Sequence, residues 1–215
     1  MRDSAHRLFV EGTDDQWTII NLTKRHGIDW DDKKGPKELP LVQNTGGIDQ
    51  LLETAPVAIK SYARVGVVLD ADSSLQGRWS EMSKKISSIG ISLPKEPEPN
   101  GTIMPGILPD SLFGIWVMPD NRGAGILEDF LSRLVPTGDQ CWNFSIGATD
   151  QARLHGASFK DTALVKARIH AWLAWQEAPG RPLGAAIDAA YFNHNGPEAQ
   201  AFVGWFRRLF LKAGN

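Results

Sequence analysis

The sequence predicts an α/β fold: a mainly parallel sheet of about four strands flanked by helices, with a C-terminal helical extension. Three observations predict it. Strand, turn and helix alternate three times before residue 90, which is the pattern of parallel strands joined by helical crossovers. The strand segments are short, continuously apolar runs, as expected where both faces of a sheet are covered. Beyond Pro136 the strand signal fades while helical periodicity continues. The expected division is an α/β domain over 1–136 and a helical extension over 137–215 packed on it.

The first unit opens with Leu8-Phe9-Val10, ended by Gly12. Thr13 has N-cap chemistry, and Gln16 three residues on completes a capping box. Trp17, Ile20 and Lys24 then share one helical face, and Gly27 supplies the stop. The second unit is a strand over Leu39 to Val42, a Gly46-Gly47 turn and a helix from Ile48 to about Tyr62, which Pro56 is expected to divide or kink. The third is a β-branched run from Val65 to Leu69, closed by Asp70-Ala71-Asp72-Ser73-Ser74 and followed by a helix from about Leu75 to Ile89. Between Ile91 and Phe113 stand five of the chain's 13 prolines, so extended or hairpin structure fits there and helix does not. The sheet resumes at Gly114 to Met118, turns at Pro119-Asp120-Asn121, and leads to a helix carrying Ile126, Leu127, Phe130, Leu131 and Leu134.

In the extension, Asp161 to Gln176 reads as a helix with Asp161 as N-cap. Asn195-Gly196-Pro197 starts a last helix whose apolar face is Phe202, Val203, Phe206, Leu209 and Phe210. Arg207, Arg208 and Lys212 suit its C-terminal end. Composition narrows the classes further. A net charge of −2 shows no global positive field for nucleic acid or an anionic membrane, although a local basic groove can hide in a neutral average. No apolar stretch approaches the ~20 residues that span a bilayer. The single Cys141 builds neither a disulfide nor a zinc cluster, and the first residues carry no signal-peptide pattern, so a soluble, cytoplasmic protein is expected.

The chemistry-bearing residues are carboxylates at strand ends: Glu11 after the first, Asp70 and Asp72 after the third, and Asp120 after the fourth. In open α/β sheets the carboxyl edge is where ligands bind. Asp70 and Asp72 are two apart, so in an extended chain both point to one side. Clustered carboxylates repel, and a hard divalent cation such as Mg2+ relieves that repulsion while keeping positions for phosphate oxygens. An Asp after a strand also serves as a turn former or cap, which fits Asp120 in Pro-Asp-Asn and applies to Asp72 before Ser73-Ser74. Glu11 has the weaker structural excuse, because Glu is a poor N-cap.

Leu-Phe-Val-Glu-Gly-Thr-Asp-Asp at 8–15 followed by Val-Val-Leu-Asp-Ala-Asp at 67–72 resembles the two signature motifs of the Toprim fold. That fold is shared by topoisomerases, bacterial primases, small ribonucleases and OLD-family nucleases. The resemblance, over residues 6 to 135, implies that Glu11, Asp70 and Asp72 bind Mg2+ (or Mn2+), with Glu11 also serving as general acid or base. The Val-Glu-Gly-x-x-Asp form resembles the ribonuclease and OLD branches and adds Asp15. Gly125-Ile126-Leu127-Glu128 matches their later Gly-x-Leu-Glu, whose carboxylate serves a second metal.

Within that group the sequence argues against several roles. Only Tyr62 and Tyr191 exist as topoisomerase nucleophiles, one cysteine builds no primase zinc module, and no Gly-x-x-x-x-Gly-Lys-Ser/Thr run cradles ATP. What is implied is a Mg2+-dependent nuclease or phosphodiesterase acting on DNA or RNA. The alternative is a non-catalytic module that binds nucleotide or a partner protein. A phosphatase of the haloacid-dehalogenase type ranks below both, because its Asp-x-Asp follows the first strand. Lys166 and His170, at i and i+4, could supply a phosphate contact and a proton carrier, or be a solvated lysine and a histidine at the core margin. Trp172 and Trp175 suit base stacking or, more simply, packing.

Overall fold

The computed structural model describes residues 5–31 and 33–211. Its centre is a five-stranded sheet of β1 (His6–Val10), β2 (Leu41–Asn44), β3 (Arg64–Asp70), β4 (Thr102–Pro105) and β5 (Leu112–Met118), in the order β2-β1-β3-β5-β4. Four strands are parallel; β4 pairs with β5 antiparallel and is the extra strand that the proline-rich segment concealed. Helices α1 (Thr13–Arg25), α2 (Ile48–Ser61), α3 (Leu75–Ser87) and α4 (Leu127–Arg133) connect or follow the strands. The extension adds α5 (Gln140–Leu154), a 3-10 turn at Asp161–Ala163, α6 (Leu164–Leu173), α7 (Leu183–Asp188) and α8 (Pro197–Phe210).

Alternation along the strands builds two cores. Val65, Val67 and Leu69 of β3, with Phe113, Ile115 and Val117 of β5, pack against Leu51, Ala55, Ile59, Met82 and Ile86 from α2 and α3. On the other face Leu8, Val10, Val68 and Trp116 meet Ile19 and Leu22 of α1 and Phe202, Trp205, Phe206 and Leu209 of α8. The last helix therefore packs on the sheet along the apolar face read from sequence. Gly66 and Gly114 stand opposite each other in the β3–β5 register and leave room for it. A Cβ on Gly114 would lie 2.8 Å from Leu209 Cδ2 and 3.0 Å from Trp205 Nε1. Gly114→Val is expected to lower stability by about 1–3 kcal/mol through overpacking, measured as a urea midpoint; an unchanged midpoint would show that α8 does not sit this close.

Several local expectations are corrected. Gly12, in extended conformation, caps α1, and Asp15 rather than Gln16 accepts from the cap amide at 3.0 Å. Thr13 Oγ1 instead accepts from Asn44, and Gln16 donates to the Val42 carbonyl. The buried stripe of α1 is Ile19 and Leu22 with Thr18 and Thr23, whereas Trp17 is half exposed beside Gly184. The second strand starts two residues later than expected, and α2 runs unbroken through Pro56, which is buried. Asp161 is not a side-chain cap; it pairs with Arg153. Helix α5 escaped the sequence reading because Phe144 and Leu154 are exposed and break its apolar period. Lys212 lies outside the described residues.

Candidate functional site

Parallel pairing of β1 with β3 brings their carboxyl ends side by side, and with them Glu11 and Asp70. Glu11 Oε1 accepts the Asp70 backbone N–H at 2.8 Å, so the first carboxylate is fixed by the residue that carries the second. Asp15 enters from the first turn of α1. A two-way backbone pairing of Asp72 with Gly125, at 2.9 and 2.8 Å, draws the start of α4 to the same edge and delivers Glu128, which is 3% exposed. Asp14, Asp15, Asp70, Glu128 and Lys166 line one cavity of about 230 Å³ there.

With every carboxylate ionised its electrostatics are unfavourable. Burial, then the charges of Asp15, Glu11, Glu128 and Asp72, push the Asp70 carboxyl up to about 9. Burial and the Glu11 charge push Asp15 up to about 7. Burial raises Glu11 as well, against its hydrogen bond from Asp70 and the positive charge of Arg78. Asp70 Oδ1 is buried and finds no hydrogen-bond donor among the described residues. The cation in the cavity lining is Lys166, whose Nζ lies 2.9 Å from Glu128 Oε1 and whose ammonium is stabilised first by that carboxylate and then by Asp14 and Asp70.

Of the residues singled out from sequence, Asp15, Asp70, Glu128 and Lys166 share this cavity, and Glu11 supports it through Asp70. Asp72 does not point with Asp70. Its φ of +50° breaks the extended chain, and its carboxylate pairs with Arg78 at the rim. Asp120 is also separate: it accepts from the amides of Arg122 and Gly123 and from Arg133 at 2.6 Å, which hold its carboxyl below the usual range, so it is a turn former. His170 is exposed on α6 and lies outside the lining. Trp172 is 1% exposed and belongs to the core, while Trp175 is on the surface against Phe144. Sequence reasoning missed Arg78, which binds the Asp70 carbonyl, Asp72 and Glu81 together. Nothing in a lone arginine on a helix marks that role.

The donor set fits a hard divalent cation in kind: clustered carboxylates with raised proton affinity, one oxygen of which has no partner. Among the described residues no three His, Cys, Asp or Glu side chains are arranged to hold a metal ion as they stand. One oxygen each of Glu11, Asp15 and Glu128 is already engaged, by Asp70 N, Gly12 N and Lys166.

Residues 5–211 match the family model described as "Protein of unknown function (DUF3226)". No curated protein matches the chain. Among solved structures, it is similar to the C-terminal region of the Xanthomonas campestris pv. campestris OLD protein, at 11% identity and a TM-score of 0.49, over 97% of this chain and 96% of that one. No helix among the described residues is long and apolar enough to cross a membrane.

Proposed function

The chain belongs to the DUF3226 family, and we propose that it is a Toprim-like, Mg2+- or Mn2+-dependent nuclease or phosphodiesterase acting on nucleic acid. The observation that carries this reading is the buried, unpartnered Asp70 Oδ1 among carboxylates that favour protons over charge. The motif resemblance at 8–15 and 67–72 supports it. Asp70, Asp15 and Glu128 would hold the cation, and Asp72 adds negative charge at the rim. When bound, such a cation stabilises developing charge on a phosphoryl group and lowers the pKa of water.

The chain's own groups account for the rest of the chemistry. Glu11 holds the end of β3 through the Asp70 amide, and its second oxygen, with raised proton affinity, takes a proton from the attacking water. Lys166 is half exposed above the cavity and contacts a phosphate oxygen of the substrate. His170 is not among the residues that line the cavity and takes no part in this reading.

The test is cleavage of end-labelled single- and double-stranded DNA and RNA with Mg2+ or Mn2+, comparing wild type with Asp70→Asn. Products from the wild type and none from the variant are expected. Cleavage unaffected by the substitution overturns the assignment. The second reading, a non-catalytic module for nucleotide or a partner protein, is favoured by the way Lys166 already neutralises Glu128. It gains if the wild type binds Mn2+ and cleaves none of the four substrates.

A further inference from the structure

A second cavity opens on the same sheet edge, one strand away from the carboxylates. It has a volume of about 420 Å³ and lies between the first turn of α3 and the turn that follows β5. Leu75 begins three residues after Asp72, and Asn121 stands three residues after Met118, the register partner of Asp70. Leu75, Trp79 and Pro97 supply apolar wall; Lys95 and Arg122 supply positive charge, with Glu96 as the one carboxylate. A neighbouring cavity of about 300 Å³ shares Arg122 with it and is lined by Trp116.

Two buried donors behind these cavities, one in Asn121 and one in Trp116, have no acceptor among the described residues. Asn121 is 2% exposed; its Oδ1 accepts from Val117 N at 2.7 Å, while its Nδ2 has no partner. Trp116 Nε1, also buried, has none either among the described residues. Both atoms lie beneath the accessible surface, so neither contacts a ligand in the open cavity. The Arg122 guanidinium is exposed and forms no ion pair among the described residues. Two cations, Lys95 and Arg122, beside an apolar slot suit a ligand with an anionic end and a flat apolar end.

We propose that this cavity holds one nucleotide of a single-stranded nucleic acid, with its phosphate on Arg122 and Lys95 and its base against Leu75, Trp79 and Pro97. The nucleotide next to it along the strand then lies at the carboxylate cavity. A base reaches a recess only when unstacked, which excludes an intact duplex. Glu96 accepts from an exocyclic amine or a sugar hydroxyl. The assignment names the substrate of the site under Proposed function and rests on that reading.

The test separates the two. Binding is measured with Asp70→Asn protein in EDTA, so that neither metal nor turnover contributes. Adenosine 5′-monophosphate and inorganic phosphate are followed by equilibrium dialysis, and a fluorescein-labelled oligonucleotide by anisotropy, with the matching duplex as competitor. The mononucleotide and the single strand are expected to bind, phosphate more weakly, and the duplex not to compete. Arg122→Ala, which removes a side chain with no ion-pair partner, is expected to weaken mononucleotide and oligonucleotide binding by about tenfold, and Lys95→Ala with it by more. Free nucleotide binding without the oligonucleotide overturns the strand as occupant. Affinity unchanged in Arg122→Ala, or equal competition by the duplex, overturns the site. Failure of the cleavage assay leaves this measurement standing by itself.

Discussion

Asp70→Asn is expected to make the metal-free protein more stable at about pH 8 and to abolish its stabilisation by divalent cations. In the unfolded chain Asp15 and Asp70 ionise near 3.8; folded, they do so at about 7 and about 9. Between those limits the folded state binds more protons than the unfolded one, so stability falls as pH rises. The loss begins in the ordinary carboxylate range and is complete for Asp15 near 7 and for Asp70 near 9. Asn keeps the shape of Asp70 and carries no charge to desolvate. The variant should therefore vary less with pH and exceed the wild type by about 2 kcal/mol at neutral to mildly alkaline pH.

Mn2+ should reverse that order. Binding to the folded state alone contributes about 2.7 kcal/mol at a hundredfold excess over Kd, and it competes with the protons on these carboxylates. Thermal denaturation across pH, with and without Mn2+, measures both effects. A wild type whose Tm ignores Mn2+ removes the metal assignment. A metal-free variant no more stable than the wild type removes the account of Asp70 as a buried, uncompensated charge.

Trp205→Ala is expected to cost about 3–5 kcal/mol, the range for truncating a buried large aromatic. Trp205 is fully buried on α8 and packs with Trp116 and Phe202 at ring separations of 5.9 and 5.6 Å. Its indole faces Gly101 and Gly114, where a Cβ would come within 2.2 and 3.0 Å of it. One side chain thus joins the last helix to both strands of the β4–β5 hairpin. Urea denaturation measures the cost, with exposed Phe144→Ala as a control expected to change stability by less than about 0.5 kcal/mol. A Trp205→Ala loss below about 1 kcal/mol would mean that α8 is not part of the folding unit.

Much of the architecture was legible because it is written in local periodicity. The β-branched run at 65–69 has core on both faces, and Phe202, Val203, Phe206, Leu209 and Phe210 form the buried face of α8. Strand β4 was less so, since four residues among prolines carry no alternation to detect. Helix α5 was missed for the opposite reason: it contacts mainly α6, so its sequence needs no continuous apolar stripe.

By itself the sequence determined that Glu11 and Asp70 each follow an apolar strand of a parallel sheet, because residue type and position after an apolar run are local properties; the pairing of β1 with β3 made those strands neighbours. The tertiary structure decided which other carboxylates join them. A left-handed residue and Arg78 take Asp72 to the rim, Arg133 and two turn amides take Asp120, and the pairing of Asp72 with Gly125 brings in Glu128 and with it Lys166. Each of those outcomes depends on a loop dihedral or on a counter-ion distant in sequence. A charge is placed by the partners that fold around it, and no spacing rule contains them.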